Sequence, residues 1–123
     1  NKVTCHPDTD YGTVVNFSKG GLMTVKYSCY EWDSDKDQVN LQKHGISFKE
    51  AVLIFEDPNA MEFFDKEHST LEEERYISFG DIGHCLICAV VYTDRFGNTR
   101  IISARKATPK EEEIYYAAFR KKN

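Results

Sequence analysis

The stretch that most restricts the fold is residues 30–48, Y-E-W-D-S-D-K-D-Q-V-N-L-Q-K-H-G-I-S-F, because it carries its own start and stop signals for helices. Asp33 stands where an N-cap belongs, its carboxylate able to accept from the free amides of a first helical turn. Asp35 falls in that first turn and Lys43 and His44 in the last, so acid and base both oppose the helix dipole. Gly45 follows as the residue that takes the left-handed backbone ending a helix. Ser47 and Glu50 then form an S-x-x-E capping box. The stretch therefore specifies two helices meeting at a tight corner, about Ser34 to His44 and Phe48 to Phe55, with Lys43 and His44 displayed at the bend. Asp57-Pro58 ends the second helix. Val39 and Leu41 give the first a thin apolar stripe, while Phe48, Ala51, Val52 and Phe55 give the second a fuller one.

Elsewhere the period is that of strands. Thr24 to Trp32 alternates, with Val25, Tyr27 and Cys29 on one face and Lys26, Ser28 and Tyr30 on the other. Ala60 to Phe64 is a second strand, followed by a polar connection, Asp65 to Glu74, expected to be mobile. Tyr76 to Phe79 is a third, and the continuous apolar run Cys85 to Thr93 a central fourth. Asp94-Arg95-Phe96-Gly97-Asn98 reads as a hairpin loop into a fifth strand, Thr99 to Ala104. Thr108, Pro109 and Glu111 start a last helix whose apolar face is Ile114, Tyr115, Ala118 and Phe119. This order predicts an α+β fold: an antiparallel sheet of about four to five strands with two N-terminal helices and one C-terminal helix packed on it.

At 123 residues the chain has room for one core. Residues 1–22 stand apart, with a strand-like run from Gly12 to Phe17 and a Ser18-Lys19-Gly20-Gly21 breaker. They are expected to form an N-terminal extension, loosely attached or adding an edge strand, ahead of a single domain over residues 23–123. No apolar run is long enough to span a bilayer and no signal-peptide pattern opens the chain. The four cysteines give no disulfide framework by spacing, so a reduced, cytoplasmic setting is expected. Cys5-His6 lacks a second ligand pair. Cys85 and Cys88, three apart in a strand, would point to opposite faces and could not close on one ion.

The net charge of −4 argues against a general polyanion binder. Its distribution is uneven: Glu56 to Asp81 holds nine acidic and two basic residues, Arg100 to Asn123 seven basic and three acidic. A local basic patch on an acidic protein is thus available, beside an acidic surface for a basic partner. Lys43 and His44 serve either as C-terminal capping charges or as phosphate contacts, imidazole being the side chain suited to acid–base work near neutral pH. Arg75, Arg100 and Arg105 lie on or beside predicted strands. Pairing as a meander would bring their guanidiniums to one face, where they would hold a phosphate. Surface ion pairs are the plain alternative. Glu74 and Glu111 are candidate bases, though capping already accounts for Glu111.

The residues Trp32, Asp33, Lys36, Asn40, Lys43, His44, Gly45, Ile46 and Phe48 compose W-D-x-x-K-x-x-x-N-x-x-K-H-G-I-x-F, which resembles the N-terminal signature of the BrnT family. E-R-Y-I-S-F-G (Glu74 to Gly80) is similar to that family's central strand. R-I-I-S-A-R-K-A-T-x-x-E (Arg100 to Glu111) is similar to its last strand and final helix cap. The resemblance covers about Tyr30 to Ala117. It implies a RelE-like fold and the toxin half of a type II toxin–antitoxin pair, a metal-independent endoribonuclease that needs no cofactor and arrests translation. Implied partners are RNA and a BrnA-like ribbon-helix-helix antitoxin, joined in a heterotetramer that meets operator DNA only through the antitoxin. Carried onto this chain, the implied catalytic set is Lys43, His44, Arg75, Arg105 and Glu74, with Lys36, Arg100 and Lys106 binding RNA. His68-Ser69 matches a family pair, but its distance to Arg75 is one residue longer than usual. Glu112 and Tyr116 depart from the pattern and make the last helix start more acidic. The alternative is a non-catalytic module that keeps the fold and binds an antitoxin or DNA-binding partner. Convergence of Lys43, His44, Arg75 and Arg105 separates the two.

Overall fold

The computed structural model describes residues 13–17 and 23–122. Residues 1–12 and 18–22, which hold Cys5-His6 and most of the expected extension, lie outside the described residues. Among the described residues, seven strands form one sheet: β1 (Thr13–Phe17), β2 (Met23–Tyr27), β3 (Tyr30–Asp33), β4 (Met61–Phe64), β5 (Arg75–Asp81), β6 (Ile87–Arg95) and β7 (Asn98–Lys106). Their order is β1-β2-β3-β7-β6-β5-β4, so the last strand in sequence lies in the middle. Three helices accompany the sheet: α1 (Ser34–His44), α2 (Phe48–Ala51), which tightens into a 3-10 segment Val52–Glu56, and α3 (Pro109–Lys122).

Two features correct the expected sheet of four to five antiparallel strands. First, residues 24–32 are not one strand. Ser28, at φ 60, and Cys29 turn the chain, so that Tyr27 faces Tyr30 and Val25 faces Trp32 across a hairpin. The side-chain period slips at this turn, which an unbroken alternation conceals. Second, β3 pairs with β7 in parallel, Tyr30 opposite Thr99 and Glu31 opposite Arg100, so the sheet is mixed. β1 pairs antiparallel with β2 as an edge strand.

The caps form as the sequence requires. Asp33 accepts from the Asp35 and Lys36 amides, Gly45 takes φ 73, and Ser47 and Glu50 exchange both capping-box bonds. Thr108 and Glu111 exchange theirs at α3. The apolar stripe of α1 does not: Val39 and Leu41 are exposed, and the buried residue of this helix is Asn40. Its amide donates to the Ile46 and Ala104 carbonyls (2.9 and 2.8 Å) and accepts from the Ala104 amide (3.1 Å). β3 has already left the sheet there, so one side chain supplies β7 with the donor and acceptor of a missing strand. α3 buries Tyr115, but Ile114 stays exposed, contrary to the expected face.

The two faces of the sheet differ. One packs against α2, the 3-10 segment and part of α1, burying Trp32, Phe48, Val52, Ile54, Val90 and Tyr92 in the main core. Gly80 lets the 3-10 segment approach, since a Cβ there would meet Ile54 Cγ1 at 2.6 Å. The other face is covered by α3 only around Phe79, Ile87 and Ala89. Among the described residues no helix covers the remainder of that second face, which is open in this sense alone, since Thr93 and Glu31 on it are buried among charged side chains.

The connection expected to be mobile carries internal hydrogen bonds. The Ser69 hydroxyl donates to the Asp65 carbonyl (2.6 Å) and accepts from the Arg75 amide (2.8 Å). Cys85 lies in the turn before β6, exposed at φ 62, while Cys88 is buried, and both are free. Cys29 is disulfide-bonded, a pairing that the cysteine spacing did not indicate. Among the described residues, no helix is long and apolar enough to cross a membrane.

Candidate functional site

Register places the arginines. Arg75 lies opposite Thr93, and Thr93 opposite Arg100; Arg105 lies opposite Ala89. Directly opposed residues share a face, and Ala89 belongs to the α3 side. Arg75, Arg100 and Arg105 therefore share the open face. Arg75 and Arg100 are two strand spacings apart, about 10 Å, and Arg105 lies about 13 Å further along the sheet. Arg95, in the segment read as a loop, joins them. The turn holds only two residues, Phe96 and Gly97, which extends β6 through Arg95 on the same face.

A groove of about 340 Å³ adjoins this face, between α1 and β7. Lys36, Lys43 and His44 line its helical wall, and Ile102 and Ser103 its strand wall. Ile102 is the extra residue of a β-bulge, since Val91 faces Ser103 while Tyr92 faces Ile101. Ser103 stands between Arg100 and Arg105 on the open side. The groove thus runs onto the arginine face rather than away from it.

Two of the expected residues do not join. The Glu74 carboxylate accepts from the Tyr76 hydroxyl (3.1 Å), and Tyr76 packs on the helix-covered face. Lys106 lies opposite buried Cys88 and so points to that same side. Strand alternation separates each from its neighbour, Arg75 or Arg105. His68 contacts Asp65 at 3.0 Å in the exposed connection, apart from the face.

Each arginine already holds a carboxylate. Arg105 grips Glu111 through two bonds, at 2.8 and 3.0 Å. That contact raises the arginine's pKa and, with the Thr108 cap bonds, holds the Glu111 carboxyl below the usual range. Arg75 and Arg95 share Glu73, at 2.8 and 3.5 Å, and its carboxyl is lowered chiefly by the Arg75 hydrogen bond. Arg100 meets Glu31 at 2.6 Å, and Asn98 donates to the same carboxylate. Both members of that pair are largely buried, which makes Arg100 a structural as much as a binding residue. The sharing of Glu73 leaves a formal surplus of one positive charge at the Arg75 end. No group of three or more His, Cys, Asp or Glu side chains suited to hold a metal occurs among the described residues.

Sequence comparison bears on this arrangement. Residues 32–111 match the family described as ribonuclease toxin, BrnT, of type II toxin-antitoxin system. The chain belongs to the BrnT family. It is a BrnT-type ribonuclease toxin of a type II toxin–antitoxin system by sequence and by structure. The BrnT fold is seen in the crystal structure of the Brucella abortus ribonuclease toxin BrnT, which is similar at TM-score 0.50 and 26% identity over 63% of this chain and 92% of that one. No curated protein sequence matches the chain. The signature residues Asp33, Asn40 and Gly45 have structural duties here, as helix caps and as the edge partner of β7. Lys36, Lys43 and His44 line the groove, Lys43 and His44 also standing in the last turn of α1, where positive charge suits the helix dipole. Sequence reasoning missed Arg95, Glu73 and Ser103. The parity of Arg95 with Thr93 would have found the first, had the turn been read as two residues.

Proposed function

We propose that this BrnT chain is a metal-independent endoribonuclease that cleaves RNA and so arrests translation. The observation that carries the reading is the shared open face: Arg75, Arg100 and Arg105 beside a groove lined by Lys36, Lys43 and His44. The substrate's own 2′-hydroxyl is the nucleophile. Its oxygen forms a bond to phosphorus, its proton passes to a protein base, and the bond from phosphorus to the 5′-oxygen breaks as that oxygen takes a proton. Arg105, beside the groove, stabilises the charge that builds on the phosphoryl oxygens, and Arg75, about 16 Å away across and along the sheet, holds a flanking phosphate. His44 is the acid–base group of the groove, and Lys36 and Lys43 hold flanking phosphates. Glu111, in contact with Arg105, replaces Glu74 as the candidate carboxylate base. The partner is a BrnA-like ribbon-helix-helix antitoxin in a heterotetramer, acting in the cytoplasm.

The test pairs growth on induced expression with RNA cleavage in EDTA, for wild type, Arg105→Ala and His44→Ala. Arrest and cleavage by the wild type, lost in a folded Arg105→Ala protein, are the expected results. A folded wild type that neither arrests growth nor cleaves RNA refutes the enzyme.

One observation favours a second reading, a non-catalytic module that binds an antitoxin. Each of the four open-face arginines already contacts a carboxylate within the chain, three carboxylates serving four arginines, so RNA must compete with Glu73, Glu31 and Glu111. Antitoxin binding without cleavage is the result that selects it.

A further inference from the structure

Phe96 is the first residue of the two-residue β6–β7 turn, at φ 53, with Gly97 following at φ 87. Such turns need a left-handed backbone at both positions, which asparagine, aspartate and glycine adopt readily and a bulky side chain resists. Phe96 gains nothing from burial in return, being 100% exposed. Neither the turn nor the core accounts for a phenylalanine here.

Its surroundings point to a ligand. Arg95 precedes it, 45% exposed and only loosely held to Glu73 at 3.5 Å. Arg75 and Arg100 follow on the same open face. The turn residues around it, Asp94, Arg95, Gly97 and Asn98, are polar or lack a side chain, so the turn itself offers no contiguous apolar patch around the ring. A docking face for a folded protein needs such a patch, whereas one bare ring beside guanidiniums suits a flat heterocycle attached to a phosphate. We infer that Phe96 is a stacking platform for an unpaired base of single-stranded RNA, with Arg95 holding the adjoining phosphate.

The inference rests on the ribonuclease reading and deepens it, naming unpaired RNA as the substrate and the hairpin tip as a second contact point. Every base has a π-face, so the contact is tolerant of sequence, but it requires a base free of its partner. Duplex RNA gains nothing from it.

Fluorescence anisotropy with a labelled 2′-O-methyl oligoribonucleotide, which lacks the nucleophile, measures binding apart from cleavage. Phe96→Asn removes the ring while suiting the turn, so folding is preserved. Its affinity for the single strand is expected to fall about tenfold, Phe96→Trp to bind at least as well as wild type, and affinity for a duplex of the same sequence to stay unchanged in both variants. Equal single-strand affinity in Phe96→Asn and wild type overturns the platform, as does an equal loss on the duplex. Unchanged RNA binding with weakened antitoxin binding also overturns it, by assigning the ring to a protein interface. Cleavage by the wild type with no effect of Phe96→Asn sinks this inference alone. A wild type that neither binds nor cleaves RNA sinks the ribonuclease reading as well.

Discussion

Replacing Asn40 isolates a place where a side chain stands in for a strand. The residue is 7% exposed and makes three hydrogen bonds, two to Ala104 and one to Ile46. Asn40→Leu keeps the volume and the helix, adds apolar surface, and leaves three backbone groups without partners. An orphaned buried polar group costs about 1–3 kcal/mol, so the low end of that range gives about 3 kcal/mol in total. A domain of this kind is stable by about 5–15 kcal/mol, so the loss is a large share of the whole. Asn40→Ala should cost no more than Asn40→Leu, because the space it opens admits water to the Ala104 edge. Trp32, the only tryptophan and 4% exposed, reports unfolding by fluorescence. In urea the midpoint should drop by about 1.5 M with an unchanged slope. An Asn40→Leu protein as stable as wild type would refute the reasoning, because burial of an apolar side chain would then outweigh the three orphaned groups.

Three further outcomes follow from the ion pairs and thiols. Arg100→Met strands Glu31 in the sheet and should cost about 3–5 kcal/mol in chemical denaturation; Arg105→Ala breaks a pair whose arginine is 37% exposed and should cost about 1 kcal/mol or less. Equal losses would contradict the burial argument. The Glu111 carboxyl titrates below its unfolded value because of Arg105, so its contribution is present above the ordinary carboxylate range and disappears as pH falls through the folded value. Glu111→Gln should therefore flatten the acid limb of stability against pH, and an unaltered limb would remove the pair from the explanation. Burial pushes the Cys88 thiol up to about 11, so alkylation of the folded protein near neutral pH should mark Cys85 and spare Cys88, as peptide mass mapping would reveal.

What the sequence disclosed was local. Asp33, Gly45, Ser47, Glu50, Thr108 and Glu111 fix helix ends through partners two to four residues away, and a linear reading finds those. It misjudged contacts made across long separations. Asn40 stood out only as a member of the signature, with no structural role attached, because Ala104, its partner, is remote in the chain. The hairpin at Ser28 was hidden because neither turn residue is a glycine or proline and the alternation continues through it. The shared face of Arg75, Arg100 and Arg105 follows from strand parity once pairing is known. Glu74 and Lys106 were misplaced because adjacent residues in a strand face opposite ways.

The central position of β7 bears on how the chain reaches its folded state. The first three strands with α1 form one group and β4 to β6 another, and β7 alone bridges them within the sheet. Tyr30 and Glu31 must find Thr99 and Arg100 across most of the chain, a pairing of high contact order that forms late. On a ribosome neither group has its neighbour until residues 98–106 have left the exit tunnel. Arg100, Ser103 and Arg105 arrive on that same strand. A nascent chain that has not yet released β7 therefore lacks the arginine face and one wall of the groove together, and the candidate site is assembled only once that strand is in place.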